Sequence, residues 1–142
     1  MENEELLSNF PFSVFRFPLF MILRVHHAQI TIPVGAETEA REFYCEFLGL
    51  REIPKPESLQ KRGGFWLEIG DDFTVHVGTE SDFDRTKTKA HVAYLVEDLD
   101  AWRARLEKRG VKILDGVPIP AYNRFEFRDP FGNRVEFLEK SV

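Results

Sequence analysis

Four residues of this chain belong to the types that bind transition metals, and they lie in short segments that resemble one another. His76 lies in the segment 73–77 and Glu136 in the segment 133–137, each after a tight polar turn and each between hydrophobic residues. His27 and His91 lie in two further segments that match each other in the same way. Three imidazoles and one carboxylate suit Zn, Fe(II), Co, Ni or Mn, and are too rich in nitrogen for Mg or Ca. We therefore predict that His27, His76, His91 and Glu136 hold one divalent transition metal, whose identity these ligands leave open.

This ligand set predicts a particular chemistry. Four protein ligands on a six-coordinate ion leave room for two oxygens of a small substrate. One carboxylate against a divalent cation leaves the site positively charged, so the ion can polarise a carbonyl or stabilise an enolate-like intermediate. Glu136 and Glu126 are the predicted catalytic residues that move the proton, and Glu68 is a further candidate base.

Period-two alternation places the four ligands on the polar faces of strands. In the predicted strand 24–32, His27 and Gln29 share the polar face, whereas His26 falls on the apolar face and is interpreted as structural. Other polar-face residues are predicted to line a substrate pocket: Gln29, Trp66, Glu68, Arg124 and Arg128. The alternative for this set is a solvated sheet face or cross-strand charge pairing.

The elements that must position these residues occur twice. A helix is predicted over 38–48 with Thr38 as its N-cap, and another over 99–109 with Asp98 as its cap. A charged linker, 79–89, separates the two halves, and matched positions lie about 60 residues apart. The spacing predicts an α+β fold of two tandem βαβββ modules, about 23–79 and 90–140, whose curved mixed sheets face a cleft. Both modules form a single domain, 23–142, after an N-terminal extension, 1–22.

Composition narrows the class of protein. A net charge of −5 and the lack of a basic patch interleaved with aromatics argue against a nucleic-acid partner. No apolar stretch is long enough to span a membrane. The single cysteine, Cys45, is interpreted as inert and indicates a reducing cytoplasm. The Phe-rich segment 1–20 is an arm that packs on the domain, a disordered tail or the product of an upstream start codon; the arm is favoured because exposed Phe side chains are costly.

In the order and spacing of its motifs, the sequence resembles the vicinal oxygen chelate superfamily, which contains glyoxalases, bleomycin-resistance proteins and extradiol dioxygenases. The resemblance covers about 23–140 and rests on His27-Ala28, Phe43-Tyr44, the segment 48–50, His91 and the segment 129–137. It implies metal ligands on the first and fourth strands of each module, at the positions of His27, His76, His91 and Glu136. Glyoxalase I carries Glu at the position of His76, so the ligand charge differs here. The resemblance also implies a homodimer, with sites inside one chain or shared between swapped chains.

Two classes of function remain open from the sequence. The first is a metal-dependent glyoxalase-like enzyme, of lyase, isomerase or dioxygenase type, that chelates two oxygens of a small substrate. The alternative is a non-catalytic protein that binds a small molecule or antibiotic, suggested by the acidic charge and Trp66. A weaker third hypothesis is a module that serves a larger assembly through the Phe-rich arm.

Overall fold

The computed structural model describes residues 22–141, which form two βαβββ modules, so the predicted arm lies outside the described residues. Each module contributes one four-stranded sheet. The first sheet has the strands β1 (His27–Ile32), β2 (Arg51–Ile53), β3 (Phe65–Ile69) and β4 (Phe73–Thr79). The second has β5 (His91–Leu95), β6 (Leu114–Asp115), β7 (Tyr122–Arg128) and β8 (Arg134–Lys140).

The two sheets have the same topology. Their strand orders are β1-β4-β3-β2 and β5-β8-β7-β6. In each sheet the first strand pairs in parallel with the last, and the remaining pairs are antiparallel. The predicted α+β fold of two repeated modules is therefore confirmed, whereas the predicted domain boundaries stay a prediction.

One longer helix follows the first strand of each module. The helix α1 (Glu37–Arg41) continues into a π-helical segment, Glu42–Phe47, and together they bury Ala40, Phe43, Tyr44 and Phe47. Its start differs from the prediction, because Ala36 and not Thr38 occupies the N-cap position. The helix α2 (Leu99–Lys108) begins as predicted, since the Asp98 side chain accepts a hydrogen bond from the Ala101 N–H at 3.0 Å. Within 22–141, neither helix is long and apolar enough to cross a membrane.

Aromatic and aliphatic side chains from both modules form one core. The apolar faces of the central strands bury Phe65, Leu67, Val75, Val77, Phe125, Phe127, Val135 and Phe137. The helices cover these faces with residues that include Phe43, Tyr44 and Leu106. Burial of the apolar faces leaves the opposite faces of both sheets for polar side chains, as the alternation predicts.

Polar contacts join the modules at the turn before β8. The Tyr44 hydroxyl donates a hydrogen bond to the Asp129 carboxylate at 2.6 Å, and the Asn133 amide donates to the Thr31 carbonyl at 2.8 Å. The linker takes part as well, because the buried Arg85 of a short 3-10 turn also donates to the Thr31 carbonyl, at 2.7 Å. These bonds connect the turn, the linker and β1.

Candidate functional site

The four predicted metal ligands occupy equivalent positions in the two sheets. In the first sheet, His76 lies opposite Gln29, two residues after His27 on the parallel neighbour. In the second sheet, Glu136 lies opposite Ala93, two residues after His91. The strand register therefore brings the ligands together as two pairs, one in each module.

The first pair is part of a column of stacked rings. The His27 and His76 ring centroids are 4.1 Å apart with an interplanar angle of 14°. Trp66, directly opposite His76 on β3, stacks on it with a centroid distance of 3.9 Å and an angle of 4°. Burial lowers the pKa of His76, and the neighbouring His27 and His26 lower it further. The column therefore favours an uncharged imidazole at its centre.

The second pair is a hydrogen-bonded contact between an imidazole and a carboxylate. His91 Nε2 lies 3.0 Å from Glu136 Oε2, and His91 Nδ1 lies 2.9 Å from the Lys89 carbonyl oxygen. A carbonyl accepts, so Nδ1 carries a proton, and Nε2 is the nitrogen directed at Glu136. Metal-binding histidines are commonly oriented by a backbone carbonyl in this way.

The carboxylate of Glu136 also belongs to an ionic network on the polar face of the second sheet. Arg124 Nε lies 3.2 Å from Glu136 Oε1, although its N–H has no hydrogen-bond partner among the described residues. The contact is therefore an ion pair without a hydrogen bond. Arg134 Nε donates to Glu126 at 2.6 Å, and an Arg124 terminal nitrogen lies 3.4 Å from the same carboxylate. Glu126, predicted as a catalytic residue, is thus buried between two guanidinium groups.

The donor set matches a divalent transition metal in chemistry but is divided between the two pairs. Within residues 22–141, no three side chains of the His, Cys, Asp or Glu type lie together in an arrangement that could hold one ion. The types of the donors and the orientation of His91 fit a metal, so the four residues stay the predicted ligands. The described structure thus holds them as two separate pairs, one in each module.

The other predicted pocket residues lie in different surroundings. Gln29 and Trp66 line a cavity of about 300 Å³ next to His76. Glu68 is ion-paired with Arg51 on the neighbouring strand β2, as the alternative of cross-strand pairing describes. Arg128 donates to the backbone carbonyls of Arg85, Thr88 and Gly132, and so holds the linker against the turn.

The structure corrects the interpretation of His26. The strand β1 begins at His27 and not at residue 24, so the alternation does not extend back to His26. His26 is exposed, and its Nδ1 lies 3.0 Å from Nδ1 of His27. It is thus a neighbour of the candidate site and not a core residue.

Three cationic residues near the site were not singled out from the sequence, although the loop 55–63, which holds two of them, was expected to shape the pocket. Arg134 precedes Glu136 by two residues on β8, and this spacing on one strand face was a signal that could have found it. Lys55 and Arg62 lie in the connection between β2 and β3 and line the cavity beside His76. No periodicity marks them, because this connection is a loop with one 3-10 turn, Glu57–Arg62.

A second cavity lies between the edges of the two sheets. It has a volume of about 330 Å³ and is lined by β1 and β5 residues together with Phe83, Asn133 and Arg134. His91 and Gln29 both border it. One predicted ligand of the second module and one predicted pocket residue of the first module therefore border the same cavity.

Comparison with known proteins gives one matching family. The model of the "Glyoxalase/Bleomycin resistance protein/Dioxygenase superfamily" matches residues 24–137. A glyoxalase family protein from Bacillus anthracis is 43% identical, with a TM-score of 0.77 over 86% of this chain and 98% of that chain. No curated protein matches the chain.

More distant solved structures share the fold. An antibiotic binding protein from Streptomyces is 24% identical, with a TM-score of 0.61 over 85% of this chain and 100% of that chain. A fosfomycin resistance protein from Listeria monocytogenes is 16% identical, with a TM-score of 0.66 over 85% and 94% of the two chains. At these identities the likeness concerns the fold alone.

Proposed function

Since the chain belongs to the glyoxalase/bleomycin resistance/dioxygenase superfamily, we propose that it is a metal-dependent enzyme acting on a small molecule with two neighbouring oxygens. Members of this superfamily commonly use divalent metals, and members bind small molecules or antibiotics. The observation that carries the proposal is the equivalent register of the pairs His27/His76 and His91/Glu136. Two unrelated pairs of metal-binding residues would have no reason to share one register.

In this proposal each half of the site has a distinct task. His27, His76, His91 and Glu136 would hold the ion, which when bound would withdraw electron density from the substrate oxygens. The Lys89 carbonyl keeps His91 Nε2 directed at the site. Arg124 balances the charge of Glu136 when no ion is present, so the carboxylate is not left buried and unpaired.

The proton-transfer role is assigned to Glu136 before Glu126. Glu126 is held by Arg124 and Arg134, and these two cations compete for its lone pairs. Glu136 lies near one guanidinium group, with Arg124 Nε at 3.2 Å, so fewer cations compete for its lone pairs. Lyase, isomerase and dioxygenase types remain alternatives for the reaction.

We also propose that two copies of the chain form a homodimer whose sites are shared. The support is that one chain supplies the donors as two pairs, with no group of three inside 22–141. Exposed apolar residues occur near both pairs in the chain: Val25, two residues before His27, is 70% exposed, and Leu95, at the end of β5, is 62% exposed. A symmetric dimer would place the first pair of one copy against the second pair of the other, twice.

Metal analysis tests the first part of the proposal. Protein purified without a histidine tag should contain, or take up on titration, a divalent transition metal. His91→Ala and Glu136→Gln should each lower its affinity by at least about tenfold, as loss of one ligand requires. Glu107→Gln, an exposed carboxylate on α2, is the matched control and should change nothing. Failure of the untagged protein to take up any transition metal would overturn the proposal.

Mixing two inactive variants tests where the site lies. His27→Ala damages the first pair and His91→Ala the second. In a dimer with shared sites, each mixed dimer regains one site with all its ligands, so metal uptake should return on mixing. With sites inside single chains, both sites of the mixed dimer stay damaged and nothing returns.

A second candidate function is supported by the ring column. His27, His76 and Trp66 are already assembled within one chain, next to a cavity of about 300 Å³. A protein that binds a small molecule or antibiotic without turnover would use this sheet alone, in the cytoplasm that Cys45 suggests. This candidate predicts that His91→Ala leaves ligand affinity unchanged, whereas the metal enzyme loses activity with the same variant.

A further inference from the structure

The cavity beside His76 is formed by a polar sheet face and by the connection that folds over it. Gln29, Trp66 and His76 form the wall from the first sheet. Lys55, Leu59 and Arg62 form the opposite wall, from the connection between β2 and β3. The space of about 300 Å³ is open to one side and suits a small molecule.

The ionised side chains that line this cavity are cations. Lys55 and Arg62 border it, and no carboxylate is among the lining residues. Glu37, a nearby acid, accepts a hydrogen bond from the Gly64 N–H and does not line the space. In a chain with a net charge of −5, such a cavity attracts anions against the overall charge of the protein.

Two of the polar groups in the cavity are held in place. The Lys55 ammonium donates to the Gly63 carbonyl at 2.6 Å, which leaves its other two protons for a ligand. The Gln29 amide lies over Gly78, where a Cβ atom would come within 2.9 Å of Nε2. Gly78 therefore leaves the room that the Gln29 side chain occupies.

The ring column determines the shape of ligand that fits. Trp66 and His76 are parallel to within 4°, and both line the cavity. A planar group can continue this stacking, whereas a puckered aliphatic ring meets the flat walls less well. The apolar side chain of Leu59 is on the facing wall.

From the charges and the ring column together, we infer that this cavity binds a small planar anion, an aromatic or conjugated carboxylate. Its carboxylate would lie between Lys55 and Arg62, and its plane against Trp66. The inference deepens the proposed function, because it names the class of substrate for the same site and rests on that proposal for the link to catalysis. Binding itself requires only the first sheet and its connection.

Three ligands of similar size test charge and planarity separately. Benzoate is planar and anionic, benzamide is planar and neutral, and cyclohexanecarboxylate is anionic and puckered. Each is titrated into protein freed of metal by a chelator, and the indole N–H signals of Trp66 and Trp102 are followed by NMR. Benzoate should shift the Trp66 signal and bind at least about fivefold more tightly than either of the others. If benzamide bound as tightly as benzoate, the role of charge would be overturned. If cyclohexanecarboxylate bound as tightly as benzoate, the role of planarity would be overturned.

Charge variants locate the binding site. Arg62→Gln should weaken benzoate binding by about two- to fivefold, since its side chain is exposed and screened by solvent. Lys55→Gln should weaken it by about five- to tenfold, because its ammonium is fixed at the cavity. Lys61→Gln removes the same charge from the same turn but from a residue outside the cavity, and should change affinity less than about twofold.

The outcomes separate this inference from the metal proposal. If metal-free protein binds benzoate as described but takes up no metal, the inference holds and the metal proposal fails. If metal is taken up but benzoate does not shift the Trp66 signal, the inference fails alone. The inference would also be overturned if Lys61→Gln weakened benzoate binding as much as Arg62→Gln does. Such a result would mean that the overall charge of the protein, and not the cavity, determines the affinity.

Discussion

The buried carboxylate of Asp129 joins the two modules, and removing one of its donors should destabilise the whole fold. Asp129 accepts hydrogen bonds from the Tyr44 hydroxyl at 2.6 Å, the Asn133 N–H at 2.8 Å, the Asn133 amide at 2.8 Å and the Phe131 N–H at 2.9 Å. Tyr44 is a module-one residue, whereas the other donors are in the turn itself. Tyr44→Phe therefore removes the inter-module bond and leaves the turn intact.

The expected loss follows from the charge of the acceptor. A hydrogen bond to an ionised group contributes about 1.5–3 kcal/mol, more than one between neutral groups. Tyr44 and Asp129 are 1% and 5% exposed, so water cannot replace the lost donor. A chain of this length loses about 3 °C of Tm per kcal/mol, so Tm should fall by about 5–9 °C.

The pH dependence of this loss has a definite sign. Burial raises the pKa of Asp129, and the hydrogen bonds from Tyr44 and Asn133 counteract the rise. A carboxyl with a raised pKa in the folded state contributes stability below its unfolded pKa of about 3.9, which is lost as the pH rises through the folded value. Tyr44→Phe removes a donor to the ionised form, so it should raise that pKa further. The penalty should therefore be larger at pH 7 than near pH 4.

Urea unfolding at both pH values measures the effect. Tyr94→Phe is the matched control. Burial raises the pKa of Tyr94, and the nearby Asp129 raises it further, but Tyr94 makes no hydrogen bond to Asp129 within the described residues. Its free energy of unfolding should change much less than that of Tyr44→Phe. A change below about 0.5 kcal/mol for Tyr44→Phe, or an equal change for both variants, would refute the assigned bond.

Three other perturbations have expected outcomes. Burial lowers the pKa of His76, and the charges of His27 and His26 lower it further. The stability that His76 contributes is therefore present above pH ~6.5 and is lost as the pH falls through its folded pKa. His76→Gln should reduce this dependence of the free energy of unfolding on pH, measured by urea titration. Glu126→Gln removes the only carboxylate that Arg134 contacts among the described residues and one of the two that Arg124 contacts, and should cost about 1–3 kcal/mol, read from thermal melts. Gly132→Ala places a Cβ 2.8 Å from Thr86 Cγ2 at a φ of +94°, and should lose more stability than Gly110→Ala, whose φ is +82° and whose Cβ meets nothing within 4 Å.

Much of the fold could be predicted because local rules and the repeat agree. Alternation in 65–69 and 125–128 separates buried phenylalanines from polar neighbours, and Asp98 caps α2 as its type predicts. The predicted start of α1 was wrong because Ala36 occupies the N-cap position without a side-chain hydrogen bond. Alanine is not a capping residue type, so the sequence gives no sign of this start. The placement of His26 on the apolar face was wrong because β1 begins at His27. The alternation of faces applies only within a strand, so it does not extend to His26.

The site was less predictable than the fold because its contacts cross between strands and loops. Strand register determines the pairs His27/His76 and His91/Glu136, and the repeat in the sequence was enough to predict their equivalence. The ion pairs of Arg124 depend on side-chain conformations that parity does not determine. Lys55 lines the cavity because of the conformation of a loop, and loop sequences have no hydrophobic periodicity from which this could be predicted.

His76 and Glu136 hold equivalent positions in the two sheets, but their electrostatic surroundings differ. His76 lies between two rings, with a lowered pKa and with cations across the cavity. Glu136 lies in a network where the charges of two arginines and two glutamates cancel. An anion placed between the modules is therefore drawn toward the first sheet, while the second sheet offers no net charge to compete. A duplicated fold with identical halves would hold such a ligand in two equivalent orientations. In the proposed site, an imidazole at position 76 opposite a carboxylate at position 136 removes that equivalence, and it would orient an asymmetric ligand before any metal contributes.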